Sequence, residues 1–242
     1  MDRIQHYWSR RAAGFGQVRQ QELCSDKPER WWAEIGPYLP RKAQPLDVLD
    51  VGTGAGFLAI LLARHGCTVT AVDSCPHMLD EAAALARAEG CTVTIRQMNA
   101  DALRFADRSF DCVLARNVTW TLLDPGAAYT EWWRVLRPGG VLLNFDANYG
   151  AVDFTGLRDA QGQHAHADIE PALLQEGENI RRELPLSRED RPRWDMDILR
   201  GLGASPCVCD TEISGRVFAR QDASFNPVPM FALRATRADT DS

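Results

Sequence analysis

Three glycines and two acids are the residues of this chain whose types and spacing suggest chemistry. Gly52, Gly54 and Gly56 alternate in the segment LDVGTGAGF. Asp50 ends the apolar run before them, and Asp73 ends the next one. Glycines in a strand-to-helix turn let a ligand approach the bare backbone. An acid about 20 residues past the first glycine can accept hydrogen bonds from both hydroxyls of a ribose. The spacing favours a nucleoside site over a plain tight turn.

The residue at the third glycine position of a dinucleotide-binding turn indicates whether the turn is built for a pyrophosphate-containing dinucleotide or for a nucleoside. Such a turn has the pattern GxGxxG, and its third glycine allows close helix packing beneath a pyrophosphate. Phe57 stands at that position here, and the pattern is GxGxG. The sequence therefore predicts a nucleoside ligand and a turn that is not built for pyrophosphate.

After residue 45, short apolar runs alternate with helical patterns, and this alternation predicts the strands and helices that position these residues. Strand-like runs occur at 47–51, 67–72, 92–96, 110–115 and 141–146. Helical patterns occupy 56–64, 76–89 and 126–137, and in the last of these Tyr129, Trp132, Trp133 and Leu136 form an apolar stripe that is expected in the core. Strands that alternate with helices indicate βαβ units. The predicted fold class is α/β, a Rossmann-like doubly wound and mostly parallel sheet.

The flanking segments complete a predicted single domain over 1–242. Residues 1–40 are expected to form a helical N-terminal cap, and 45–147 the cofactor-binding core. Residues 148–190 would be a substrate-side insertion with a short helix at 168–180. The closing segment, 191–237, would add a helix within 190–203 and strands at 207–213 and 228–236.

Composition excludes several classes of protein. The 242 residues carry a net charge of −6, which argues against a dedicated nucleic-acid binder. No apolar run approaches the ~18 residues of a membrane span, and no signal peptide is apparent. The seven cysteines include no CxxC pair, so neither a zinc ribbon nor a redox dithiol is suggested. These features predict a cytoplasmic protein without a membrane partner.

Five ordered motifs carry a family resemblance over roughly residues 45–147. They are LDVGTGAG (49–56), AVDSCPHML (71–79), Asp101-Ala102, FDCVLARN (110–117) and LRPGG (136–140). In order and spacing they resemble the class I S-adenosylmethionine-dependent methyltransferases. The segment YWSRRAAGF (7–15) is similar to the N-terminal helix with which many small-molecule members cover the cofactor.

The resemblance implies a role for each matching position. The Gly52–Gly56 turn would lie along the methionine part of S-adenosylmethionine, and Asp50 would fix this turn and reach the amino group through water. Asp73 would accept from the ribose, and Asp101 from the adenine amino group. The other cofactor-binding residues expected from the motifs are Tyr7 and Arg11 in the cap, Ser74, Met78 against the adenine, Ala102 through its backbone N–H, and Asn117 near the methyl group.

Catalysis in this family needs little from the protein, because a sulfonium methyl group is already activated. A general base is needed only if the nucleophile arrives protonated. The candidate bases are Asp146, which follows the fifth strand, and His164 and His166 in the insertion. Asp146 could instead cap a turn, and the two histidines could be solvated, contact substrate or bind a metal. No metal site is predicted.

The expected function is methyl transfer to an N, O or S atom of a small molecule, with S-adenosylhomocysteine as product and the protein a monomer or homodimer. The alternatives are a protein or RNA methyltransferase and a non-catalytic S-adenosylmethionine-binding regulator. The fourth strand ends in ARNVTW. It lacks the Asn-Pro-Pro-aromatic or Asp-Pro-Pro-aromatic run of enzymes that methylate adenine in DNA, so that substrate is disfavoured.

Overall fold

The computed structural model describes residues 3–157 and 169–238. These residues form a seven-stranded sheet with helices on its faces. Its strands lie in the order β3-β2-β1-β4-β5-β7-β6. Only β7 pairs antiparallel with its neighbours β5 and β6. The strands are β1 (Asp47–Val51), β2 (Thr68–Asp73), β3 (Thr94–Gln97), β4 (Phe110–Arg116), β5 (Leu136–Ala147), β6 (Ala204–Asp210) and β7 (Met230–Arg237). The predicted mostly parallel α/β sheet is confirmed.

Helices cover both faces of this sheet, which explains why the central strands read as continuous apolar runs. Pro76 begins one helix at its first position and Asp124 caps another by accepting from the Ala127 N–H at 2.8 Å. The helices are α1 (Arg3–Leu23), α2 (Lys27–Ile35), α3 (Phe57–Arg64), α4 (Pro76–Ala88), α5 (Pro125–Val135), α6 (Phe154–Leu157), α7 (Pro171–Glu183), α8 (Arg193–Gly201) and α9 (Ile213–Val217). None of the described helices is both long and apolar enough to cross a bilayer.

Two apolar clusters fill the layers on either side of the sheet. One contains Trp31 of α2, the apolar side of α3 and Phe145 of β5. The other contains Tyr129 and Trp132 of α5 together with Leu199 of α8. The aromatic stripe of α5 is buried, as its helical spacing predicts.

The element boundaries differ from the predicted ones where tertiary pairing overrides local pattern. Strand β5 begins at Leu136 and includes the LRPGG segment, because Leu136 pairs with Phe110 of β4. The helix expected over 126–137 therefore ends at Val135. The short helix α9 was not predicted from the sequence.

The strand order reverses between β1 and β4, which pair in parallel from Val48 opposite Cys112 to Val51 opposite Ala115. An open parallel sheet binds ligands at the carboxyl ends of its strands, next to such a reversal. Asp50, Asp73 and Asn117 all lie at this edge, at the ends of β1, β2 and β4.

Candidate cofactor and acceptor site

A cavity of about 420 Å³ lies at this edge, under the N-terminal helix α1. Trp8, Arg11 and Phe15 of that helix line it from one side, and the ends of β1, β2 and β4 line it from the other. Most of the sequence-predicted cofactor residues meet here: Tyr7, Arg11, Asp50, Gly52, Gly54, Asp73, Ser74, Met78, Asp101 and Asn117.

The glycine turn owes its shape to positive φ angles and to crowding. The φ angles are +62° at Gly52, +54° at Gly54 and +87° at Gly56, values that residues with a Cβ rarely adopt. A Cβ on Gly52 would lie 2.4 Å from Cγ2 of Val118, and one on Gly54 would lie 3.6 Å from the Phe15 ring. These two glycines keep the turn open to the cavity.

Gly56 lies at the start of α3. It is buried and is not among the described residues that line the cavity. A Cβ at this position would lie 3.1 Å from Cβ of Ala82 on α4. Gly56 therefore lets the start of α3 pack against α4, and its contact with the cofactor stays a prediction.

Asp73 joins the end of β2 to the glycine turn. Its Oδ2 accepts a hydrogen bond from the Gly54 N–H and its Oδ1 accepts one from the Cys75 N–H, both at 2.9 Å. Burial raises the pKa of Asp73 despite these donors. A carboxylate oxygen accepts two hydrogen bonds, so each oxygen has a lone pair left for a ligand hydroxyl.

Asp50 is a carboxylate held in a nearly dry environment. Its side chain is buried, and its Oδ2 accepts a hydrogen bond from the Thr53 hydroxyl at 2.6 Å. Burial raises the pKa of Asp50 to about 7. A cationic group bound beside it would favour the charged form and lower that pKa.

Of the remaining predicted cofactor residues, Ala102 lies outside the described cavity lining, whereas Asp101 and Asn117 belong to it. Ala102 is exposed, lies outside the described cavity lining, and donates its N–H to the Asn99 carbonyl at 3.2 Å. Asp101 and Asn117 both line the cavity. Asn117 has a φ of +58° and its Oδ1 accepts a hydrogen bond from the Tyr149 hydroxyl at 3.0 Å.

We call the part of the cavity wall around Tyr149, whose hydroxyl donates to Asn117, the acceptor half. It contains aromatic side chains, and the polar groups among them include two arginines. The lining residues are Tyr7, Arg19, Arg116, Trp120, Tyr149, Phe154, Ser224 and Asn226. Apart from Tyr7, sequence reasoning missed them all. The only local signal was Arg116, which directly precedes the predicted Asn117.

Asp146, the first candidate base, lies in the interior of the protein. It is fully buried, and it is absent from the described cavity lining. Its Oδ2 lies 3.1 Å from Nη2 of Arg191 and also accepts from the Thr119 hydroxyl. Arg191 is buried between Asp146 and Asp195. In this structure the carboxylate of Asp146 joins β5 to the segment before α8, and its role as a base stays a prediction.

The other candidate bases cannot be placed. His164 and His166 lie outside the described residues. Cys207 and Cys209 are half-buried on β6 and pack against the cluster that contains α5. Within 3–157 and 169–238, no group of three metal-ligating side chains comes together.

Comparison with known proteins identifies the segment around this cavity. Residues 49–144 match the family model described as a methyltransferase domain. This segment of the chain is similar to a methyltransferase domain. The match covers β1 to most of β5 and therefore the glycine turn, Asp73 and Asn117.

Three proteins illustrate what this methyltransferase domain is similar to. Ubiquinone biosynthesis O-methyltransferase of Methylocella silvestris is 37% identical over 106 residues, which is 44% of this chain and 41% of that protein. The tRNA 5-carboxymethoxyuridine methyltransferase of Escherichia coli is 35% identical over 130 residues, 52% and 47% of the two chains. The matches span about half the length of these curated relatives or less.

A solved structure shares the fold over a longer stretch. It is phosphoethanolamine N-methyltransferase 2 of Haemonchus contortus, in complex with phosphomonomethylethanolamine and S-adenosylhomocysteine. The TM-score is 0.61 at 18% identity, and the match covers 87% of this chain and 52% of that one.

The cavity of the methyltransferase domain fits S-adenosylmethionine, the cofactor of this kind of domain. The bare Gly52 and Gly54 leave room for its methionine part, and Asp50 offers a buried carboxylate that a nearby ammonium group would stabilise. Asp73 retains free lone pairs for the ribose hydroxyls. The apolar side chains of Met78 and Met98 line the same cavity, where an adenine ring would pack.

Proposed function

We propose that this protein transfers the methyl group of S-adenosylmethionine to a small-molecule acceptor. The observation that carries the proposal is the continuity of one cavity. The glycine turn, Asp50 and Asp73 line it together with the residues of the acceptor half. A methyl donor held by the glycine turn and an acceptor held by the acceptor half would meet near Asn117.

When bound, the cofactor supplies a methyl group whose bond to the sulfonium sulfur breaks with the electron pair left on sulfur. The chain's contribution is to hold the acceptor atom in line with that bond, about 3 Å from the methyl carbon. The Trp120 ring makes a T-shaped contact with the Trp8 ring of α1 and a tilted contact with the Tyr149 ring. These rings would exclude water from the reacting atoms.

The acceptor half offers no carboxylate for proton transfer within the described residues. Among the described residues, the acids that line the cavity as a whole are Asp50, Asp73 and Asp101, and all three belong to the motifs assigned to the cofactor. The hydroxyl of Tyr149 already donates to Asn117 and accepts from Asn226, and burial raises its pKa. This arrangement favours an acceptor whose nucleophilic atom arrives with a free electron pair.

Two properties favour a small acceptor over a nucleic acid. The acceptor half lies beneath α1, and the chain carries a net charge of −6, whereas a surface for RNA would need a basic face. The similarity to the E. coli tRNA methyltransferase covers about half of each chain. RNA methylation is therefore the competing outcome of an acceptor screen that detects S-adenosylhomocysteine release.

Binding of S-adenosylhomocysteine to an Asp73→Ala variant tests the cofactor half of this proposal. Removal of the carboxylate would leave two ribose hydroxyls unpaired, at a cost of about 1–3 kcal/mol, or roughly 5- to 150-fold in affinity. Asp80→Ala, on the exposed side of α4, is the matched control and should bind like the wild type. Calorimetry that finds equal affinities for Asp73→Ala and Asp80→Ala would contradict the ribose assignment. No binding to the wild type would refute the function.

A further inference from the structure

A charged cluster of three side chains lies at the acceptor half. Nη2 of Arg116, at the end of β4, is 2.8 Å from Oε1 of Glu22 on α1. Nη1 of Arg19, also on α1, is 2.6 Å from Oε2 of the same carboxylate. The Glu22 side chain is fully buried, and 8% of each arginine side chain is exposed. The two guanidinium groups and the one carboxylate of this cluster carry a net charge of +1, a surplus of one positive charge, in a site almost closed to water. Asp50, whose pKa burial raises to about 7, is a further acid that interacts with Arg116.

Several donors of this cluster have no acceptor. Nε and Nη1 of Arg116 and Nε of Arg19 are buried, and no hydrogen-bond partner for them occurs among the described residues. Burial lowers the pKa of Arg19 to about 10, so it remains protonated at neutral pH. An unpaired buried donor is costly. Because Arg19 and Arg116 both line the cavity, a bound anion can supply the missing acceptors.

Two aromatic rings pack against the guanidinium group of Arg116, so that its N–H groups are the part left to contact a ligand. Its Cζ lies 4.4 Å from the ring centroid of Trp31 and 5.1 Å from that of Phe57. Both rings hold the guanidinium in place by cation–π contact. The unpartnered N–H groups of this fixed guanidinium, on Nε and Nη1, lie on different edges, and each can donate a charge-assisted hydrogen bond to an anion.

The cluster lies further along α1 than the predicted cofactor residues of that helix. Arg19 is two helical turns, about 12 Å, beyond Arg11. Phe15 lies between them: its ring faces Gly54, and Cζ of Arg19 is 4.8 Å from the centroid of that ring. Arg19 and Tyr149 both line the cavity and are close enough to interact electrostatically.

We propose that Arg19 and Arg116 bind a carboxylate group of the methyl acceptor, an inference that rests on the proposed function. A carboxylate is a planar monoanion, and its charge matches the surplus of one. A phosphate dianion would leave one buried negative charge uncompensated. The aromatic walls around the cluster favour a carboxylic acid with a ring or other apolar body.

The experiment uses the full chain saturated with S-adenosylhomocysteine. Benzoate, phenylacetate and 3-phenylpropanoate are titrated by calorimetry, each against its neutral amide. At least one carboxylate should bind about tenfold or more tightly than its amide, since charge-assisted hydrogen bonds are the strong ones. In Arg116→Gln this preference should disappear, whereas Arg64→Gln, which alters an arginine paired with Glu89 outside the cavity lining, should retain it.

Glu22→Gln should change the preference for carboxylate over amide in the opposite direction from Arg116→Gln. This variant raises the surplus from one positive charge to two, so the preference for carboxylate over amide should grow. A purely structural role for Glu22 would instead weaken the binding of acid and amide alike. The prediction also remains testable if Arg116→Gln fails to fold.

Two results would overturn the inference. One is a wild type that binds S-adenosylhomocysteine but shows no preference for any of the three carboxylates. The other is an Arg116→Gln variant that loses affinity for S-adenosylhomocysteine but not for 5′-methylthioadenosine, which lacks the amino acid part. That result would assign the arginines to the cofactor's own carboxylate. Failure of the wild type to bind S-adenosylhomocysteine would refute the proposed function instead.

Discussion

Asp146→Asn should cost stability and leave cofactor binding unchanged. Its Oδ1 accepts a hydrogen bond from the Ala147 N–H at 2.9 Å, and its Oδ2 accepts one from the Trp120 N–H at 3.1 Å. Each oxygen thus faces a backbone donor. The amide nitrogen of an asparagine would therefore meet a backbone N–H in either orientation, and Arg191 would lose one of its two carboxylate partners.

The expected magnitude follows from what Arg191 retains. Breaking a buried ion pair costs about 3–5 kcal/mol. Arg191 keeps Asp195, with which it makes hydrogen bonds of 2.8 and 2.9 Å, so we expect the lower end, about 3 kcal/mol. For a chain of this size that corresponds to a fall in Tm of roughly 6–12 °C. Arg191→Met should cost more, because it leaves both buried carboxylates without a cation.

Urea unfolding followed by tryptophan fluorescence measures the change in stability, and calorimetry with S-adenosylhomocysteine measures binding. Asp197→Asn is the matched control: this exposed side chain lies on the same helix as Asp195, and its replacement should change the free energy of unfolding by less than about 0.5 kcal/mol. The reasoning would be refuted by an Asp146→Asn variant that is as stable as the wild type yet has lost turnover on the acceptor. Asp146 would then be the base that the sequence suggested.

Two further predictions concern the cofactor side of the cavity. Because burial raises the pKa of Asp50 from 3.8 to about 7, its contribution to stability is fully present below pH 4 and is lost as the pH rises through 7. Between pH 5 and 8 the free energy of unfolding of the wild type should therefore fall by about 2–3 kcal/mol relative to Asp50→Asn in urea titrations, and parallel profiles would contradict the burial argument. Gly52→Ala should lower stability by more than Gly66→Ala in thermal melts. Both glycines have positive φ, but a Cβ would meet Val118 at 2.4 Å in the first and nothing within 4 Å in the second, so equal losses would show that crowding at Gly52 is relieved.

The sequence by itself determined the features that depend on short stretches of chain. The alternation of strands and helices follows from local apolar periodicity and from punctuation such as Pro76 and Asp124. The GxGxG turn and the acid at Asp73 lie at fixed distances within one βαβ unit. Their meeting at the edge of the sheet could be predicted because parallel strands place their carboxyl ends together.

Only the tertiary structure decided the features that join distant parts of the chain. Arg116 meets Glu22 across 94 positions, and Arg191 meets Asp146 across 45. A buried charge is retained only if folding brings a partner to it. That partner is selected by the packing of α1 and α8 against the ends of the strands, and neither periodicity nor motif spacing records this packing. The sequence could predict that Asp146 lies near the carboxyl end of a central strand, where ligands bind. It could not predict the ion pair with Arg191 that holds this carboxylate in the interior.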